Sequence, residues 1–97
     1  MAELDDLIHQ PVRLRIMAAL CSLGPREQVD FSYLKEKLNL TDGNLGAHLR
    51  ALEEAAYIAV EKTFVKRRPK TFVATSAAGR KAFAAHVAAL QSILKPK

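Results

Sequence analysis

The stretch with the most chemistry per residue is Lys66-Arg67-Arg68-Pro69-Lys70, four cations around a proline. The proline argues against a helix there. The runs on either side, Ile58 to Val65 and Thr71 to Ala74, are rich in β-branched and aromatic residues. This pattern predicts a hairpin with its charge held at a projecting tip. Such a tip suits the phosphates of a nucleic acid. A charge run is commonly a solvated face, but one at a hairpin tip just after two helices favours phosphate or minor-groove contact.

A second constellation precedes it. Leu45, Leu49 and Leu52 fall on one face of a helix, so Asp42, Gly43, Asn44, Ala47, His48 and Ala51 fall on the other. Asn44 has the donor and acceptor that pair bidentately with adenine, and the Ala47 methyl can meet a thymine methyl. Thr41 and the first-turn amides can hold a phosphate. Ser32, at the start of a shorter helix, and Arg50 complete the expected contact set. Gly43 and Gly46 are poor helix formers, and without side chains they allow a close backbone approach. Asp42 reads more readily as a capping anion than as a base reader. His48 has two readings, base contact and packing beside Leu49. Arg13, Arg15 and Arg50 have two as well, phosphate contact and a solvated or paired charge.

Other chemistry is thin. The chain has no Gly-rich phosphate loop, no nucleophile motif and no evident pair of catalytic carboxylates, so no enzyme and no cofactor are expected. His9, His48 and His86 lack ligand spacing, and no metal site is expected. Cys21 is the single cysteine, which excludes an intrachain disulfide, and it falls among apolar residues of a helix.

The formal charge is +5, unevenly spread. Residues 1–56 hold six Lys/Arg against nine Asp/Glu, whereas residues 57–97 hold nine against one. A basic C-terminal half implies a polyanionic partner. With 97 residues, 49% apolar and 26% charged, the chain reads as one globular domain over 1–97. No apolar run is long enough for a membrane span, the acidic N-terminus is unlike a signal peptide, and a cytoplasmic location is expected.

These sites need elements to hold them. Residues 4–9 read as a helical lead-in. Helix 1 spans about 11–23 with Pro11 in its first turn, and Gly24-Pro25 stops it. Val29 to Phe31 is extended. Ser32 is the expected N-cap of a helix over Tyr33–Leu38, and Asn39 closes it in the left-handed region. Thr41 caps a helix over about 42–55. The hairpin over 58–74 follows, with its tip at Lys66–Lys70 and residues 62–71 as its basic wing. Thr75 or Ser76 caps a last helix over about 76–94. That helix carries two adjacent stripes, Phe83/Val87/Leu90/Leu94 and Ala82/Ala85/Ala89/Ile93. This is more apolar face than one small domain covers, so a homodimer is expected through Phe83, Val87, Leu90, Ile93 and Leu94, helped by Leu4, Leu7 and Ile8. The fold class is mainly α with a small β-hairpin wing, a winged helix-turn-helix.

Three motifs carry a family resemblance. Ile8-His9-Gln10-Pro11 with Arg13 to Ile16, then Asn44 to Glu53 with its His-Leu-x-x-Leu-Glu pattern, then Arg68 to Phe72 followed by Ala74-Thr75 and Gly79-Arg80, stand in the expected order and spacing. The chain resembles the MarR/ArsR-type winged-helix DNA-binding domains. The resemblance implies a dimeric transcriptional regulator that binds double-stranded DNA, with residues 42–55 as recognition helix. Ala56 stands where such domains usually have Gly. Gly46 and Ala47 stand where Ser and Arg are frequent. The metal-sensing cysteine pattern is absent. The alternative reading is a winged helix serving as a protein–protein module in a larger assembly, against which the basic wing argues. RNA binding would call for more surface aromatics. No small-molecule effector is identified by the sequence.

Overall fold

The structure, a computed structural model, describes residues 3–95; residues 1, 2, 96 and 97 of the expected domain lie outside the described residues. The elements are α1 (Pro11–Cys21), β1 (Val29–Asp30), α2 (Phe31–Leu38), α3 (Asp42–Glu54), β2 (Ile58–Val65), β3 (Arg68–Thr75) and α4 (Ala77–Leu94). The strands form an antiparallel sheet in the order β1-β3-β2. Winged-helix architecture, expected from the hydrophobic spacing, is what the chain adopts.

The caps explain most boundaries. Gln10 caps α1 by accepting from the Arg13 N–H at 2.8 Å, with Pro11 in the first turn where a missing N–H costs nothing. Asn39 takes the left-handed conformation at φ 54 between α2 and α3. Thr41 Oγ1 accepts from the Asn44 N–H at 3.1 Å and starts α3. Ser76 Oγ accepts from the Gly79 N–H at 2.9 Å, starts α4, and donates to the Ala56 carbonyl at 2.6 Å. Two expectations need correction here. Asp30, not Ser32, caps α2, its carboxylate accepting from the Tyr33 N–H at 2.7 Å; the helix therefore starts earlier, at Phe31. The lead-in is not a helix. Asp5 Oδ1 accepts from the Leu7 and Ile8 N–H groups and folds residues 6–8 into a single turn.

The core joins Ile8, Ile16, Met17 and Leu20 to Leu34 and Leu38, Leu45, Leu49 and Leu52, and Ile58 and Val73. Ile8 is 0% exposed within the protomer, so it leaves the set of residues available to a second subunit. The α4 register is also corrected. Its buried residues are Gly79, His86 and Ala89, whereas Phe83, Val87 and Leu90 are half-buried and Ile93 and Leu94 exposed. With apolar residues around much of the helix, periodicity could not choose which stripe faces inward.

A polar network sets that register. The Asp5 N–H donates to His86 Nδ1 at 3.0 Å, so neutral His86 carries its proton on Nε2, which faces His9 Nδ1 at 3.3 Å. Tyr57 donates its hydroxyl proton to Asp5 Oδ2 at 2.6 Å. Arg80 donates to the carbonyls of Cys21 and Leu23, satisfying the end of α1. Of the opening and closing motifs, Gln10 thus caps α1, His9 meets His86 of α4, and Arg80 ties α4 to the end of α1.

Candidate nucleic-acid interface

On α3 the leucines turn inward and leave Thr41, Asp42, Gly43, Asn44, Ala47 and Arg50 exposed together. Of the outward face expected from the sequence, His48 and Ala51 are instead half-buried. Asp42 forms an ion pair with Lys35 of α2 at 3.0 Å, both exposed, which favours its role as an anion at the helix N-terminus. His48 is half-buried, and its Nδ1 accepts from Arg13 Nη1 at 3.2 Å. Burial, and then the Arg13 cation, hold its imidazole below the ordinary value. It stands neutral, with Nε2 carrying the proton. Arg13 also donates from Nε to the Leu7 carbonyl, and Arg15 donates to the Leu38 carbonyl at 2.8 Å. Both arginines therefore serve internal ties.

Gly43 and Gly46 have no packing reason to be glycine. A Cβ at either would meet nothing within 4 Å. Each costs on the order of 1 kcal/mol against alanine inside a helix. The space they leave open is outside the protomer, beside Asn44 for Gly43 and toward the sheet for Gly46.

The hairpin departs from expectation in its length and tip. β2 and β3 pair from Ile58↔Thr75 to Val65↔Arg68, so Arg68, Pro69 and Lys70 lie in a strand and the tip is Lys66-Arg67 alone. Both tip residues have positive φ, 51 and 66, the signature of a type I′ turn. In such a hairpin Val65↔Arg68 is the hydrogen-bonded pair and Phe64↔Pro69 is not. The missing N–H of Pro69 therefore falls on the outer edge of β3, beyond the reach of β1, which pairs only at Val73 and Phe72. Lys62, Lys66, Arg67, Arg68 and Lys70 are all exposed. Lys70 Nζ lies 3.4 Å from Asp30, which neutralises one cation of the four in the expected set.

Two grooves join these parts. One, of about 300 Å³, has Gly46, Leu49, Arg50 and Glu53 of α3 on one wall and Val60, Lys62 and Thr71 of the sheet on the other. The second lies between the start of α2, at Phe31 and Ser32, and the outer wing, from Val65 to Thr71. Ser32 loses its capping role but stands exposed beside Lys66, Arg68 and Lys70. Sequence reading missed Lys62 as a wall residue. The strand alternation places it on the α3 side, but only if the hairpin is known to run unbroken to the turn.

Among the described residues no helix is long and apolar enough to cross a membrane, and no three His, Cys, Asp or Glu side chains gather where a metal ion could sit.

A family model described as a winged helix DNA-binding domain matches residues 12–94. An uncharacterized protein of Methanocaldococcus jannaschii is 46% identical over 77 residues, which cover 79% of this chain and 80% of that one. The structure of a transcriptional regulator homologue from Pyrococcus horikoshii superposes with a TM-score of 0.83 at 31% identity, covering 93% of this chain and 86% of that one. The transcriptional repressor BigR of Xylella fastidiosa superposes with a TM-score of 0.64 at 15% identity, covering 95% and 84% of the two chains, and is similar in fold.

Proposed function

Because the chain belongs to the winged helix DNA-binding domain family, we propose that it is a homodimeric regulator of transcription that reads duplex DNA with α3. Asn44 and Ala47 are the base-reading groups in the major groove. Thr41, Gly43 and the first-turn amides of α3 lie against a phosphate, with Ser32 and Arg50 as flanking contacts. His48 contributes through Nε2. Lys66, Arg67 and Arg68 hold the backbone from the wing, and Lys70 does so to the extent that it leaves Asp30. The observation that carries this reading is the pair of glycines at positions 43 and 46. They weaken a helix and fill no packing need; Gly43 leaves the surface open beside Asn44, and Gly46 leaves it open in the groove toward the sheet. A protein-binding module would need neither the glycines nor the exposed cations of the wing.

Selection of bound duplexes from a random pool tests the proposal. The expected result is a two-fold-symmetric site with half-sites about 34–36 Å apart, one turn centre to centre. Asn44→Ala should relax one or two base pairs per half-site, by roughly 1–3 kcal/mol for a bidentate contact. A pool with no enrichment, and no retention of random duplex at low salt, would favour the protein-module reading.

A further inference from the structure

Phe64 is the most exposed aromatic residue among those described, at 72%, and it sits two residues before the left-handed tip in the midst of the cations. A phenyl ring in water forgoes a stabilisation that burial would supply, and nothing in the protomer covers this one. Its direction follows from strand alternation. Ile58, Val60, Lys62 and Phe64 share one face of β2, opposite Thr75, Val73, Thr71 and Pro69 of β3. The inner end of that face is core: Ile58 and Val73 are buried. Its middle, Val60, Lys62 and Thr71, forms the wall opposite α3. Its outer end is Phe64 with Pro69 across the ladder, two apolar groups on the side of the wing that looks toward the α3 face.

The polar surroundings specify the occupant. Lys62 precedes Phe64 on the same face, and Lys66, Arg67 and Arg68 follow it around the turn. An apolar ring framed by cations complements a nucleic acid, which is anionic outside and apolar between its bases. With α3 in the major groove, the groove between Arg50 and Lys62 would receive one DNA backbone strand. The next concavity beyond one backbone strand is the minor groove. Resting on the reading that α3 and the wing bind duplex DNA, we propose that Phe64, backed by Pro69, is a wedge that enters the minor groove, partly unstacks one base step and bends the duplex. Apolar side chains inserted in this way kink DNA by roughly 20–90°. Pyrimidine–purine steps yield most easily. The wing thereby gains a sequence preference without a hydrogen bond to any base.

The test uses the full chain and a duplex carrying the selected site, with 2-aminopurine placed in turn at the steps flanking each half-site. Bending is read by circular-permutation mobility and unstacking by 2-aminopurine fluorescence. The wild type should bend the duplex and raise fluorescence at one step per half-site. It should prefer a TA over a GC step there by about tenfold, the equivalent of one factor of ten in Kd. Phe64→Ala, which removes an exposed side chain, should keep its fold and the base pairs read by Asn44. It should lose the bend, the fluorescence rise and the step preference together. Phe64→Leu should retain part of all three, and Lys62→Ala should weaken binding while keeping the bend. Straight DNA with the wild type, or an undiminished bend and fluorescence signal with Phe64→Ala, overturns the wedge and leaves the reading of α3 intact. Preferential binding of single strands, abolished in Phe64→Ala, would assign the ring to stacking on unpaired bases and overturn the wedge. Failure of the wild type to retain any duplex overturns both.

Discussion

Two backbone positions at the junction of α3, β2 and α4 show how one Cβ can be wrong in opposite senses. A Cβ on Gly79 would lie 1.9 Å from the Tyr57 carbonyl oxygen, which already accepts from the Ser76 N–H. The atoms in the way are backbone, so α4 itself must shift. Gly79→Ala should destabilise by roughly 1–3 kcal/mol or more, as overpacking does. Ala56, at φ 63, carries a Cβ in the left-handed region where glycine is at ease. Ala56→Gly should stabilise by on the order of 1 kcal/mol, the relief offset in part by the freer unfolded chain. Urea unfolding of both variants checks the pair, and shifts of the same sign would contradict the geometry. Both positions were visible in the sequence, one as a glycine within a motif and the other as an alanine where a glycine was expected. The Ala56 strain followed from local rules. The need for Gly79 did not, because the obstructing carbonyl belongs to a distant part of the chain. The same distinction separates Thr41, whose cap is local, from Arg13 and Arg80, whose partners lie on other elements.

At the scale of elements, α1, α3 and β2 were legible because apolar spacing, caps and β-branched runs agreed, whereas the start of β3 was not, because Pro69 and its flanking cations read as the hairpin tip. The α4 register was not, since it is set by the buried His86 rather than by apolar periodicity. Burial foremost, then the charge of His9, hold the His86 imidazole below its ordinary value, against a smaller upward pull from Asp5. The folded protein therefore takes up this proton less readily than the unfolded chain. The contribution is whole above the unfolded pKa of about 6.5 and is lost as pH falls toward the lower folded value. Protonation would also put a second donor against the Asp5 N–H. Burial pushes the Asp5 carboxyl up, but its bonds from Tyr57 and the Ile8 and Leu7 N–H groups outweigh that and leave it below 3.8, so its own loss begins at lower pH. The melting temperature should fall between about pH 7 and pH 5, and His86→Gln should flatten that slope. Parallel curves for the two proteins would remove His86 from the account. The wing tip makes a second test at this scale. Lys66 and Arg67 occupy left-handed positions that Asn-Gly fills at lower cost. Replacing them with Asn-Gly should raise stability by on the order of 1 kcal/mol. The same change should flatten the dependence of log K on log salt by about 0.9 for each phosphate that the tip no longer neutralises. A salt slope equal to that of the wild type would mean that the tip stays in solvent.

The whole molecule is longer than its size requires. It extends 56 × 25 × 21 Å, and its radius of gyration of 14.1 Å exceeds the roughly 12–13 Å of a compact domain of this length. Among its outlying apolar groups are Ile93 and Leu94, 59% and 75% exposed at the end of α4. They continue the half-buried row Phe83, Val87 and Leu90, with Leu4 and Leu7 also half-buried in the segment that Asp5 ties to α4. An apolar row of this kind is unfavourable in water, and a second copy would offer the same face, so the proposed isologous two-fold contact would cover both at once. Such a contact would also carry two α3 helices in fixed relation, which is what a symmetric DNA site needs. Val87→Asp or Leu90→Asp would put a carboxylate into that contact, where an unpaired charge is costly. Each should give monomers by light scattering at tens of micromolar, where the wild type should be dimeric. Because His86 and Ala89 face inward and are untouched, the variant protomers should remain folded by circular dichroism. They should still retain a single half-site at low salt, but the requirement for a fixed spacing between half-sites should vanish with the dimer. A wild type that is monomeric at the same concentration would leave the apolar row without its partner. A Leu90→Asp variant that still demanded the spacing would place the two-fold contact elsewhere on the chain.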